Sequence, residues 1–85
     1  MKVDKQVRVL VVDDDLLVSE MIRGLLEDIG YTVVGRAANG VQAIEMTQSL
    51  RPDAVLTDIR MPDMDGIEAA QKIQELCPTP VVVLT

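Results

Sequence analysis

Short apolar runs alternate strictly with longer stretches of helical periodicity, and few folds accept that pattern. Val7-Arg8-Val9-Leu10-Val11-Val12 is the first run, stopped abruptly by Asp13-Asp14-Asp15, and it reads as a buried strand. Over residues 16–29, Leu17, Met21, Leu25 and Ile29 recur at every fourth position, with Val18, Ile22 and Leu26 beside them. That spacing predicts an amphipathic helix with one wide apolar stripe, ended by Gly30. Residues 32–38 form a second strand, weakened by Gly35 and therefore expected at an edge. Asn39 is placed to cap a second helix through Leu50, in which Val41, Ile44 and Leu50 share a face and Arg51-Pro52 forces a stop. Ala54-Val55-Leu56-Thr57 is a third strand, running into Asp58. After a polar loop, Asp65 and Glu68 make a capping-box-like start for a third helix carrying Ile67, Ala70, Ile73 and Leu76. Cys77-Pro78-Thr79-Pro80 breaks it, and Val81-Val82-Val83-Leu84 is a fourth strand. Strands that are apolar throughout, joined by helices, imply a parallel sheet covered on both faces. No linker or internal repeat interrupts the pattern.

Composition narrows the chemistry. At 85 residues the chain is a single small domain, one that buries only roughly 60–65% of its unfolded surface. With no His, it has no Ser-His-Asp or Cys-His machinery and no imidazole zinc site. Cys77 alone supports neither a disulfide framework nor a four-cysteine metal site, which fits a reducing cytoplasm. The charge of −6, with Tyr31 the only aromatic, argues against nucleic-acid binding by this segment. No apolar run approaches the ~18 residues of a membrane span, and residues 1–6 lack a signal-peptide core.

In a parallel sheet the residues just past the strand ends collect along one edge, where ligands bind. Asp13 and Asp14 follow the first strand, Asp58 follows the third and Thr85 follows the fourth. If the first and third strands are neighbours, three carboxylates converge. Two such charges ~5 Å apart repel by about 3 kcal/mol at an effective dielectric of ~20. A hard divalent cation removes that conflict, and Mg²⁺ suits a few oxygens with coordination positions left open. An ionised Asp beside it is a recognised nucleophile toward phosphoryl groups, and a Thr hydroxyl can hydrogen-bond a phosphoryl oxygen. Each residue also has a plain structural reading. Asp13, Asp14 and Asp15 can serve as helix cap and first-turn charges, the role that suits Asp15 best. Asp58 can be a turn residue and Thr85 an ordinary strand residue. Asp63 and Asp65 fit as loop former and helix cap, Arg60 as an exposed loop charge, and Met61 and Met64 as apolar loop anchors.

Three segments together resemble the receiver domain of bacterial two-component response regulators. They are Val11-Val12-Asp13-Asp14-Asp15, Leu56-Thr57-Asp58-Ile59-Arg60-Met61-Pro62-Asp63-Met64-Asp65-Gly66, and Pro80-Val81-Val82-Val83-Leu84-Thr85. The resemblance implies a flavodoxin-like doubly wound α/β sheet with strand order 2-1-3-4. It implies Asp58 as phosphoacceptor, Asp14 as a direct Mg²⁺ ligand, and Asp13 acting through water or outer contacts. Arg60 stands where the family supplies a backbone carbonyl to the metal, and Thr85 where it supplies a switch hydroxyl. A sensor histidine kinase and an output domain or effector protein are the implied partners, in the cytoplasm.

Receivers continue with two more helices and a fifth strand ending in an essential Lys. Neither Lys2, Lys5 nor Lys72 occupies that position, so the chain reads as a receiver cut short after its fourth strand. Impaired switching is the expectation for such a segment, and a second copy could cover the sheet it leaves open. Two other classes compete: a Mg²⁺-dependent phosphohydrolase using an aspartyl-phosphate, and a non-phosphorylated interaction module. The first typically needs an acid two residues after the nucleophile, where this chain has Arg60. Beyond self-catalysed phosphotransfer and autodephosphorylation, no enzyme activity is expected.

Overall fold

In a computed structural model that describes residues 6–84, the four apolar runs are strands and the three periodic stretches are helices. The order is β1 (Arg8–Val12), α1 (Leu16–Asp28), β2 (Thr32–Ala37), α2 (Gly40–Leu50), β3 (Ala54–Asp58), α3 (Gly66–Leu76) and β4 (Val81–Leu84). The strands form one parallel sheet in the order β2-β1-β3-β4, as the receiver resemblance implies. β2 lies at an edge, and its pairing with β1 slips where Val9 faces Val33 but Leu10 faces Gly35.

Local chemistry sets the helix ends. The Asp15 carboxylate accepts from the amides of Leu17 and Val18, Asn39 from Gln42, and Asp65 from Glu68. α1 ends in a Schellman motif: Gly30, at φ 98°, donates to the Glu27 carbonyl and Tyr31 donates to that of Leu26. At the end of α2 the Arg8 guanidinium donates to the carbonyls of Leu50 and Arg51, at 2.9 and 2.8 Å. That places a cation on the negative end of the helix dipole and holds Arg51 at φ 51° before Pro52.

The two faces of the sheet differ. On one, Leu10, Val12 and Val55 pack with Ala37, Ala43 of α2 and Ile73 of α3, flanked by Ile44, Met46, Leu50, Met61 and Val81. On the other, α1 lies over β1 and β2. Side chains alternate along a strand, so Val82 and Leu84 face this second side, and they are 52% and 40% exposed.

The wide stripe predicted for α1 divides in two. Ser19 is buried and Ile22 and Leu26 are half-buried, whereas Leu17, Met21, Leu25 and Ile29 are 66–76% exposed. In α2 the buried positions are Gly40, Ala43 and Thr47, with Val41 exposed; in α3 they are Gly66, Ala69 and Ile73, with Ile67 and Leu76 exposed. Small residues pressed to the sheet let the helices approach it, which a pattern of large apolar residues does not reveal.

Candidate functional site

The site is built at the C-terminal ends of β1 and β3, which are adjacent in the sheet. Asp13 extends β1 by one residue, its amide donating to the Ala37 carbonyl at 3.0 Å. Its carboxylate accepts from the Asp15 amide at 2.8 Å, closing the turn that leaves Asp14 exposed. Asp58 ends β3, paired in register with Leu84. Asp13, Asp14 and Asp58 each bring one carboxylate oxygen to within 4.8 Å of the others. They line a cleft of about 350 Å³ whose apolar wall is Val18, Ile22 and Leu84.

The cluster is electrostatically uncomfortable by itself. Asp13 is only 5% exposed, and burial is the main reason that its pKa is raised. The hydrogen bond from Asp15 opposes that rise, while the charges of Asp58, Asp14 and Asp15 add to it. The donor set fits Mg²⁺: hard oxygens only, spanning up to 4.8 Å. Opposite ligands of an octahedral Mg²⁺ lie about 4.2 Å apart at bond lengths of ~2.1 Å, so small side-chain rotations close the difference.

The loop after Asp58 is held from two sides. Gly66 donates to the Ile59 carbonyl at 2.8 Å, and a Cβ on Gly66 would stand 2.5 Å from the Asp58 carbonyl oxygen. Only glycine lets the start of α3 lie so close to the backbone of Asp58. From the other side, the Asp63 carboxylate accepts from the amides of Gly40 and Val41, both at 2.8 Å, and so caps α2 across the loop. Those bonds, that from Gly40 foremost, hold its pKa below the ordinary carboxylate value. Asp63 is thus more than a loop former, a role without a local sequence signal because its partners lie 22 and 23 residues away.

Of the residues singled out in the sequence, Asp13, Asp14 and Asp58 come together. Arg60 lies in the following loop with its side chain exposed, and Asp15 and Asp65 are helix caps. Thr85 lies outside the described residues.

Comparison with known proteins agrees with this geometry. The sequence model of the response regulator receiver domain matches residues 9–85. The chain belongs to the response regulator receiver domain family. Among curated relatives, it is 46% identical over 77 residues to a protein-glutamate methylesterase/protein-glutamine glutaminase of Hahella chejuensis, covering 91% of this chain and 22% of that protein. The receiver segment therefore spans about a fifth of the length of that relative. Among solved structures, the response regulator domain of Thermotoga maritima CheB superposes with a TM-score of 0.89 at 36% identity, covering 93% of this chain and 60% of that one. A chain of the CheX-CheY-BeF3-Mg+2 complex from Borrelia burgdorferi gives a TM-score of 0.84 at 29% identity, covering 89% of this chain and 59% of that one. The chain is thus a two-component receiver with a flavodoxin-like fold. Among the described residues, no helix is long and apolar enough to cross a membrane.

Proposed function

We propose that this receiver accepts a phosphoryl group on Asp58 and holds Mg²⁺ through Asp13, Asp14, Asp58 and the backbone carbonyl of Arg60. The observation that carries the reading is the meeting of three carboxylate oxygens within 4.8 Å at the ends of two adjacent strands. The Asp58 carboxylate attacks phosphorus while the bond to the donor, a kinase phosphohistidine or a small acyl phosphate, breaks and its electrons leave with the donor. Asp14, exposed at the mouth of the cleft, and Asp13, buried behind it, hold the cation against Asp58. Bound Mg²⁺ neutralises phosphoryl charge and helps to align the transfer. The hydroxyl of Thr85 is assigned to the phosphoryl oxygen as a switch. The crystal structure of a similar chain as a CheX-CheY-BeF3-Mg+2 complex supports the Mg²⁺ part of the reading.

A sensor histidine kinase is the donor and an output domain or effector protein the recipient of the signal, in the cytoplasm. A methylesterase is one such output, since this chain matches about a fifth of the length of two proteins so named. Taken alone, residues 1–85 are impaired in phosphorylation and switching, because none of their lysines follows a fifth strand. The test is incubation with Mg²⁺ and acetyl phosphate, read by intact mass. Partial labelling confined to Asp58, absent in Asp58→Asn and without Mg²⁺, is expected. Labelling that survives Asp58→Asn would refute the assignment, and complete labelling would refute the impairment.

A further inference from the structure

Arg36, on edge strand β2 opposite Val11, sends its guanidinium over the start of α1. Its Nε donates to Ser19 Oγ at 2.7 Å, and its Nη2 donates to the Asp13 carbonyl at 3.2 Å. Ser19 is 2% exposed, and its hydroxyl passes the contact on by donating to the Leu16 carbonyl at 2.9 Å. A single planar fork therefore anchors the backbone on both sides of Asp14: the carbonyl just before it and the first turn of α1 just after it. The peptide plane between residues 13 and 14 fixes where the Asp14 side chain starts, so its orientation governs whether Asp14 reaches the same point as Asp13 and Asp58. Nothing local in the sequence announces this, because the partners lie 17 and 23 residues from Arg36.

We propose that Arg36, with Ser19, is a positioning residue for the acidic cluster, holding the turn after β1 in the shape that lets three carboxylates share one cation. The inference rests on the Mg²⁺ reading above. It has a sign that a simple charge effect lacks. Removing a cation whose Nη2 lies 3.2 Å from the Asp13 carbonyl would, by relief of Coulomb repulsion alone, tighten Mg²⁺ binding if it changed it at all. Loss of positioning weakens it. Lys in place of Arg keeps the charge but not the fork, since an ammonium is a point donor.

The test is Mg²⁺ binding to the purified chain by calorimetry, in wild type, Arg36→Met, Arg36→Lys and Ser19→Ala, with folding of each checked by thermal melting. Arg36→Met is expected to weaken Mg²⁺ by about tenfold or more, the usual cost of losing an outer support of a metal site. Arg36→Lys is expected to leave most of that loss in place, and Ser19→Ala, which removes one hydroxyl, to show part of it. Equal or tighter binding in Arg36→Met, or full recovery in Arg36→Lys, would overturn the proposal. Amide exchange in metal-free protein gives an independent readout. The Asp15 amide, bonded to Asp13, should exchange faster in Arg36→Met, while that of Gln42, capped by Asn39, should not change. Unchanged exchange at Asp15 would overturn the proposal even without metal. If the wild type binds no Mg²⁺, the metal reading fails and exchange alone decides the role of Arg36.

Discussion

The two faces of the sheet carry similar residues but are covered to different extents. Under α2 and α3, Leu10, Val12, Val55 and Ile73 are almost wholly buried. On the α1 side Val9 and Val11 are buried beneath the helix, but Leu17, Met21 and Leu25 of α1 and Val82 and Leu84 of β4 are equally apolar and lie open. The difference teaches that periodicity marks which residues can be buried, whereas topology decides which are. The closed face gives the sheet its stability, and the cleft with its carboxylates opens on the other.

The largest effect should separate the faces outright. Leu10→Ala is expected to cost about 2–5 kcal/mol of unfolding free energy in denaturant titrations, the range for emptying a packed core site. Leu25→Ala should change it by no more than about 0.5 kcal/mol, as for other exposed positions. Equal costs would mean that the open face is covered in solution, and sedimentation at several concentrations would show it. Next comes the join between core and cleft. Gly66→Ala pushes a methyl against the Asp58 carbonyl, and overpacking of this kind costs about 1–3 kcal/mol. It should weaken Mg²⁺ binding as well, because the backbone that must yield carries Asp58.

Smaller effects follow from titration. The Asp63 pKa is lowered in the folded state, so its contribution is present above the unfolded value of 3.8 and is lost as pH falls through the folded value. Asp63→Ala should therefore melt earlier than wild type at pH 7, with the gap closing in acid. Asp13 behaves oppositely. Its folded pKa is raised, so its charge is a burden at neutral pH that is relieved as pH falls through the folded value toward 3.8. Asp13→Asn, whose side-chain oxygen still accepts from Asp15, should raise the melting temperature of metal-free protein at pH 7. The gain should shrink in acid, and Mg²⁺ should stabilise this variant less than wild type.

Much of this is legible in the sequence. Valine-rich runs and capping residues located each strand and helix, because those signals act within a few residues. Asp13, Asp14 and Asp58 could be brought together because parallel strands deliver their ends to one edge and the receiver resemblance makes the first and third strands neighbours. What escaped was contact across the chain. The stripe on α1 could not say which half faces the sheet, since that depends on how the helix lies over β1 and β2. Asp63 could not disclose that it caps α2, nor Arg36 that it holds the turn after β1, because both act on residues distant in sequence.

The most direct test of a shared cation is a Mg²⁺ titration of the ¹⁵N-labelled chain followed by NMR. One saturable transition is expected, with the amides of Asp13, Asp14 and residues 58–60 shifting together, and its disappearance in Asp14→Asn. Shifts that fail to saturate, or that spread evenly over the exposed acidic residues, would contradict it.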